Sequence, residues 1–250
     1  TSEGIFSSFG LWFDDKNVFW QNVQDTFAYQ NGAYTRWLFN TIMYAAVAGV
    51  GATIIATFAG YAIATMRFPG RNALLAVTLA FMSIPSTVIT VPLFLMYSKI
   101  GLVGTPWAVI IPQLATPFGL YLMIIYAQTS IPVSLIEAAK LDGASTWTIF
   151  WKVGFPLLSP GFVTVLLFTL VGVWNNYFLP LIMLSDTNDY PLTVGLNMWL
   201  KMGAQGTANG QVPNNLIITG SLIAVVPLII GFMFLQKYWQ SGLAAGSVKQ

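Results

Sequence analysis

The chain has 250 residues, 56% of them hydrophobic and 7% charged, with a formal net charge of +2 and a mean hydropathy of +0.71. Soluble domains carry about a quarter charged residues, so this balance excludes one and leaves a membrane protein. Cysteine and histidine are both absent, so there is no disulfide framework to read. No metal site, catalytic centre or nucleic-acid partner is expected.

Residues 1–36 are polar and rich in aromatics, and are expected to lie outside the membrane ahead of a transmembrane domain over 37–250. Apolar runs long enough to cross a bilayer, about 20 residues each, follow at 37–66, 73–98, 107–130, 157–184 and 215–236. None of them alternates with period two, so the predicted fold is all-α, a polytopic helical bundle whose spans satisfy their own backbones in lipid. Pro85, Pro92, Pro112, Pro117 and Pro180 fall inside these runs, where each removes a hydrogen bond and can kink its helix. Asp, Glu, Lys and Arg are missing from all five. Proton relays, voltage sensors and intramembrane catalytic centres need such groups, so the energy for any transport is expected from elsewhere. A sodium-coupled carrier passes this test, because carbonyls and neutral side chains can hold sodium.

Between the third and fourth runs lies a polar stretch, residues 131–156. Pro132 suits the first turn of a helix, after Ser130 or Ile131, and Gly143 suits a left-handed cap at its end, with about three turns between. Ala138 and Ala139 leave one flank nearly without bulk, while Glu137 and Asp142 offer carboxylates to a basic partner. The alternative is a helix lying on lipid headgroups, but such helices carry Lys and Arg on the polar face, and this one has Lys140 alone. Of the ten basic residues, Arg67, Arg71, Lys140, Lys152, Lys237 and Lys249 fall on the side of this stretch, against Lys16, Arg36, Lys99 and Lys201 on the other. The richer side is expected to be cytoplasmic.

Neutral polar side chains recur within the spans and mostly serve helix packing. The group Trp174, Asn175, Asn176 and Tyr177 is different. Adjacent amides point about 100° apart on a helix and here are bracketed by rings, which suits a sugar's hydroxyls and its apolar face. A packing or interfacial role for Trp174 and Tyr177 stays open. The following loop, 185–214, is the longest between spans and ends in a glycine-rich tip. Loops of that length are often functional, although it could be a mobile connector.

The order EAAKLDGASTWTIFWKVGFPLLSP from Glu137 to Pro160 resembles the EAA loop of ABC-type importer permeases. GYAIATMRFPGR from Gly60, the prolines at 85 and 92, YSKIGL ending at Leu102, WNNYFLPL from Trp174 and the tail from Gln236 through Gly242 and Gly246 to Val248 resemble the maltose-type carbohydrate-uptake branch. The match covers nearly all the chain from Arg36 onward. One departure is Asn176, which stands where the family usually has an acid after Trp-Asn. The resemblance implies a permease subunit in a prokaryotic cytoplasmic membrane, with a first span expected ahead of Thr1. Glu137, Ala138, Ala139, Asp142 and Gly143 would couple it to an ATPase. The implied partners are a second homologous permease, two ATP-binding cassette subunits and an extracellular or periplasmic solute-binding protein that meets the external loop. The implied cargo is a di- or oligosaccharide. No GxxxxGK[ST] motif occurs in the chain, so MgATP is expected in the partners and no cofactor here. The competing expectations are a permease for another polar solute, such as a polyol or glycerol phosphate, and a sodium-coupled secondary transporter.

Overall fold

A computed structural model of the protein describes residues 18–204 and 212–247, leaving aside the side chains of Leu235 and of 237–247. Most of the N-terminal segment, most of the glycine-rich tip, the charges of Lys16, Lys237 and Lys249, and Val248 fall outside the described residues. Everything described is helix or connection, with no strand.

Helix α1 (Phe19–Tyr44) runs through a π-helical turn (Ala45–Gly49) into α2 (Val50–Thr65). The first span therefore belongs to a helical run that begins well before residue 37. The run breaks at Tyr29–Gly32, where Gln30, Asn31 and Gly32 take φ of 49°, 55° and 76°. Asn and Gly accept the left-handed region readily, and Gln30 is held there by Trp199, whose Nε1 donates to Gln30 Oε1 at 3.0 Å. A π turn leaves a backbone carbonyl short of its usual partner. Here Gly49 O accepts from Thr53 Oγ1 at 2.7 Å and from Thr169 Oγ1 at 3.1 Å, which ties the turn to a neighbouring helix.

The second run is two helices, α3 (Arg71–Met82) and α4 (Ser86–Lys99), bent by 103°. Pro85 drives Ile84 out of the helical region, and the last turn of α3 tightens, with Ser83 N donating to Ala80 O and Ile84 N to Phe81 O. The third run breaks for the same reason. After α5 (Trp107–Gln113) comes Thr116 in extended conformation, and Pro117 opens α6 (Pro117–Ser130), with Thr116 Oγ1 accepting from Gly119 N at 3.2 Å as its cap. Pro85 and Pro117 thus start helices, while Pro92 lies within α4. The described residues hold four helical runs long and apolar enough to cross a bilayer, and the bent pair makes a fifth.

The polar stretch forms α7 (Val133–Leu141), which starts one residue after Pro132 because that proline is the extended N-cap. Then α8 (Thr146–Ile149), a second π turn (Phe150–Gly154) and α9 (Phe155–Trp174) make one run. The expected fourth span, 157–184, is corrected by this: helix begins at Thr146 and stops at Trp174. Next come α10 (Phe178–Met183), α11 (Leu192–Ala204) and α12 (Asn214–Ser247).

The centre of the bundle is the crossing of α2 with α6, against which α9 packs. Gly60 permits it: a Cβ there would lie 2.6 Å from Met123 Cβ and 3.1 Å from its carbonyl carbon. At one end Met66, Ile131, Ile136, Ala139 and Phe150 share a core. At the other, Trp37, Trp174, Leu192 and Trp199 share a second.

Beside that second core, residues 187–192 are fastened to the bundle. Trp37 Nε1 donates to Thr187 O at 2.8 Å, Asn40 Nδ2 to Asn188 O at 2.6 Å, Tyr44 OH to Asp189 O at 2.8 Å, and Leu192 N to Thr41 Oγ1 at 2.8 Å. One face of α1 thus pins the segment down, and α11 follows with Trp199 fully buried. Burial, then the neighbouring Asp186, raises the Asp189 carboxyl above the ordinary carboxylate range. Beside this core the buried Tyr34 donates its OH to Gly220 O of α12 at 2.7 Å. Tyr34→Phe is expected to cost about 1 kcal/mol, read as a lower unfolding midpoint in detergent; an unchanged midpoint would show the bond to be idle.

Candidate functional site

The α7 turn is built for exposure. Ile136 is 8% exposed and anchors the helix to the bundle together with Ala139. Glu137, Ala138, Asp142 and Gly143 are exposed, and Ala139 is half-buried. Beyond the helix Gly143 takes φ +75°. Gly143 N donates to Lys140 O and Ala144 N to Ala139 O, both at 3.0 Å. This is the paired C-terminal closure in which a left-handed glycine satisfies two orphan carbonyls. Nothing lies within 4 Å of where its Cβ would stand. Sequence reasoning missed two residues of this surface: Val133, 68% exposed, and Leu141, 89% exposed. With Glu137 they stand at i, i+4 and i+8 along one exposed flank of the helix, a spacing that was legible in the sequence.

A cavity of about 660 Å³ opens where α3 bends into α4 and where α5 gives way to α6. Its polar lining comes from Ser86, Thr87, Thr90, Gln113, Thr116, Thr169 and Asn176, and its rings include Phe81, Phe118 and Phe168. Phe118 and Phe168 meet edge to face at 5.5 Å. Among the described residues, no charged one lines it. The breaks at Pro85 and Pro117 therefore leave hydroxyls and amides around a space that is otherwise apolar, the composition of a small-molecule site.

The four residues 174–177 do not act together, because α9 ends among them. Trp174 is buried with Trp37, Leu192 and Trp199. Asn175 is exposed and folds back on its own helix, Nδ2 donating to Val171 O at 2.9 Å. Tyr177 OH donates to Asn197 Oδ1 of α11 at 2.9 Å. Asn176 alone of the four lines the cavity. Its Nδ2 donates to Gln113 Oε1 at 2.9 Å, and its carbonyl accepts from Thr193 Oγ1 at 2.8 Å. Gln113, which sequence reasoning placed only among general polar residues, is its partner across the cavity wall.

Residues 52–244 match the family described as binding-protein-dependent transport system inner membrane component. The chain belongs to that family. Among members, the arabinooligosaccharides transport system permease protein AraQ of Halalkalibacterium halodurans is 32% identical over 90% of this chain and 79% of its own length. The osmoprotective compounds uptake permease protein GgtD of a Synechocystis species is 32% identical over 98% and 82%. A solved chain from a bacterial ABC transporter involved in the import of the acidic polysaccharide alginate superposes with a TM-score of 0.73 at 26% identity, over 90% of this chain and 80% of that one. As an inner membrane component of this transport family, the protein is a multi-pass membrane permease.

Proposed function

We propose that this permease is one of two related membrane subunits of an ATP-driven importer of a neutral sugar, a di- or oligosaccharide, whose ATP hydrolysis takes place in two cassette subunits docked at α7. The observation that carries this reading is a covalent line. The turn at Gly143 leads at once into the run Thr146–Trp174, roughly 40 Å of helix at 1.5 Å per residue. That run ends beside Asn176 on the cavity wall. A displacement of α7 would thus pass through the turn at Gly143 and along one helical run to the cavity wall. Glu137, Ala138, Asp142 and Gly143, with Val133 and Leu141, would form the docking surface, and Ala139 its hinge on the bundle. MgATP would be held by the cassette subunits. A solute-binding protein would meet the opposite end, where α11 lies, and hand over its cargo there.

The neutral cavity favours uncharged cargo, since a phosphate would draw Arg or Lys. A polyol is the second reading, favoured by the similarity to an osmoprotectant permease.

Isolation of the chain from its native membranes in mild detergent is expected to bring magnesium-dependent ATP hydrolysis with it. An inactive preparation that still transports along a sodium gradient would replace this reading with a secondary carrier.

A further inference from the structure

Resting on that reading, we propose that Gln113 and Asn176 are this subunit's specificity determinant for uncharged, polyhydroxylated cargo: an amide pair bonded to one another that presents its remaining donors and acceptor to a cargo hydroxyl pair. The two side chains come from different helices, Gln113 at the end of α5 and Asn176 just past α9, and bond at 2.9 Å. Each primary amide has two N–H donors and one carbonyl acceptor with two lone pairs. Asn176 Nδ2 donates to Gln113 Oε1, and Gln113 Nε2 donates to Val109 O at 2.9 Å. These bonds engage one proton of each amide. A second N–H on each and a lone pair on Gln113 Oε1 remain, a donor–acceptor pattern that matches vicinal hydroxyls. The rings of Phe118 and Phe168 stand on the same cavity and supply an apolar face for a pyranose. Two hydrogen bonds hold Asn176 from behind: its carbonyl accepts from Thr193, and its Oδ1 accepts from Leu179 N at 3.4 Å. A pre-set amide of this kind discriminates strongly, because cargo lacking the matching hydroxyl leaves polar groups unpaired. An acid at 176 would instead reject anions and admit cations; the neutral pair admits neither preferentially.

The test uses the complete transporter purified through this chain and reconstituted in vesicles with its binding protein. Its probes are raffinose, trehalose, sorbitol and glycerol 3-phosphate. Wild type is expected to import at least one neutral probe with ATP. Gln113→Leu and Asn176→Leu should each lower that uptake about tenfold, the worth of one to two hydrogen bonds, while the amount of assembled transporter recovered in the vesicles stays at the wild-type level. Asn176→Gln, which moves donor and acceptor by one methylene, should change the ranking of the neutral probes. Uptake unaltered by both Leu variants overturns the proposal, as does loss of assembled transporter together with uptake, which would make the pair structural. Import of no neutral probe by wild type defeats the sugar reading itself.

Discussion

Gly143→Arg is expected to leave the protein inserted and folded while bringing cargo uptake close to background. The left-handed φ of +75° costs a side-chain-bearing residue roughly 1–2 kcal/mol, too little to unfold a bundle of this size. The position is open, with nothing within 4 Å of a new Cβ, so the arginine meets no neighbour in this chain. It would project beside Leu141 and Asp142 onto the surface offered to the ATPase, and would loosen the closure that orients that surface. The check is uptake and magnesium-dependent hydrolysis in the same vesicles, normalised to the amount of inserted chain. Gly143→Asn separates the two effects, because asparagine tolerates the left-handed region and adds little bulk; it should retain most uptake. Normal transport by the arginine variant would sink the docking role of α7.

Gly60→Val should have the largest effect on folding. The added atoms would meet Met123 Cβ at 2.6 Å, but also the Met123 carbonyl carbon at 3.1 Å and Ile124 N at 3.2 Å. Side-chain rotation cannot clear backbone, so α2 and α6 must separate at the crossing that organises the bundle. Overpacking of this kind costs about 3 kcal/mol, and in lipid no hydrophobic drive between helices compensates for the lost close approach. Little monodisperse protein should survive detergent extraction. Gly172→Val is the matched control, since a Cβ at Gly172 has no neighbour within 4 Å. Equal yields of the two variants would show that the α2–α6 contact does not limit folding.

The cap at Gly143 was legible because a left-handed closure is a local event, dictated by residue type and by hydrogen bonds within six residues. The breaks were only half legible. Pro85 and Pro117 marked where helices fail, but the 103° bend between α3 and α4 depends on what those helices pack against. The end of α9 at Trp174 carried no proline signal at all. Asn175 and Asn176 looked like two amides about 100° apart on one helix, whereas one caps its own helix and the other bonds to Gln113, 63 residues away. The anchoring of 185–192 was not legible, because Trp37, Asn40, Thr41 and Tyr44 lie about 150 residues earlier and bond to its backbone, which no side-chain pattern within the segment can announce.

By itself, then, the sequence determined the solvent this protein lives in, the helical character of its spans, and the turn that closes α7. Each of these follows from hydropathy and backbone preference within a short stretch of chain. Only the tertiary structure decided which polar groups face a common cavity and which are spent on packing, because in lipid an amide is assigned by the partner that satisfies it, and that partner can come from any helix.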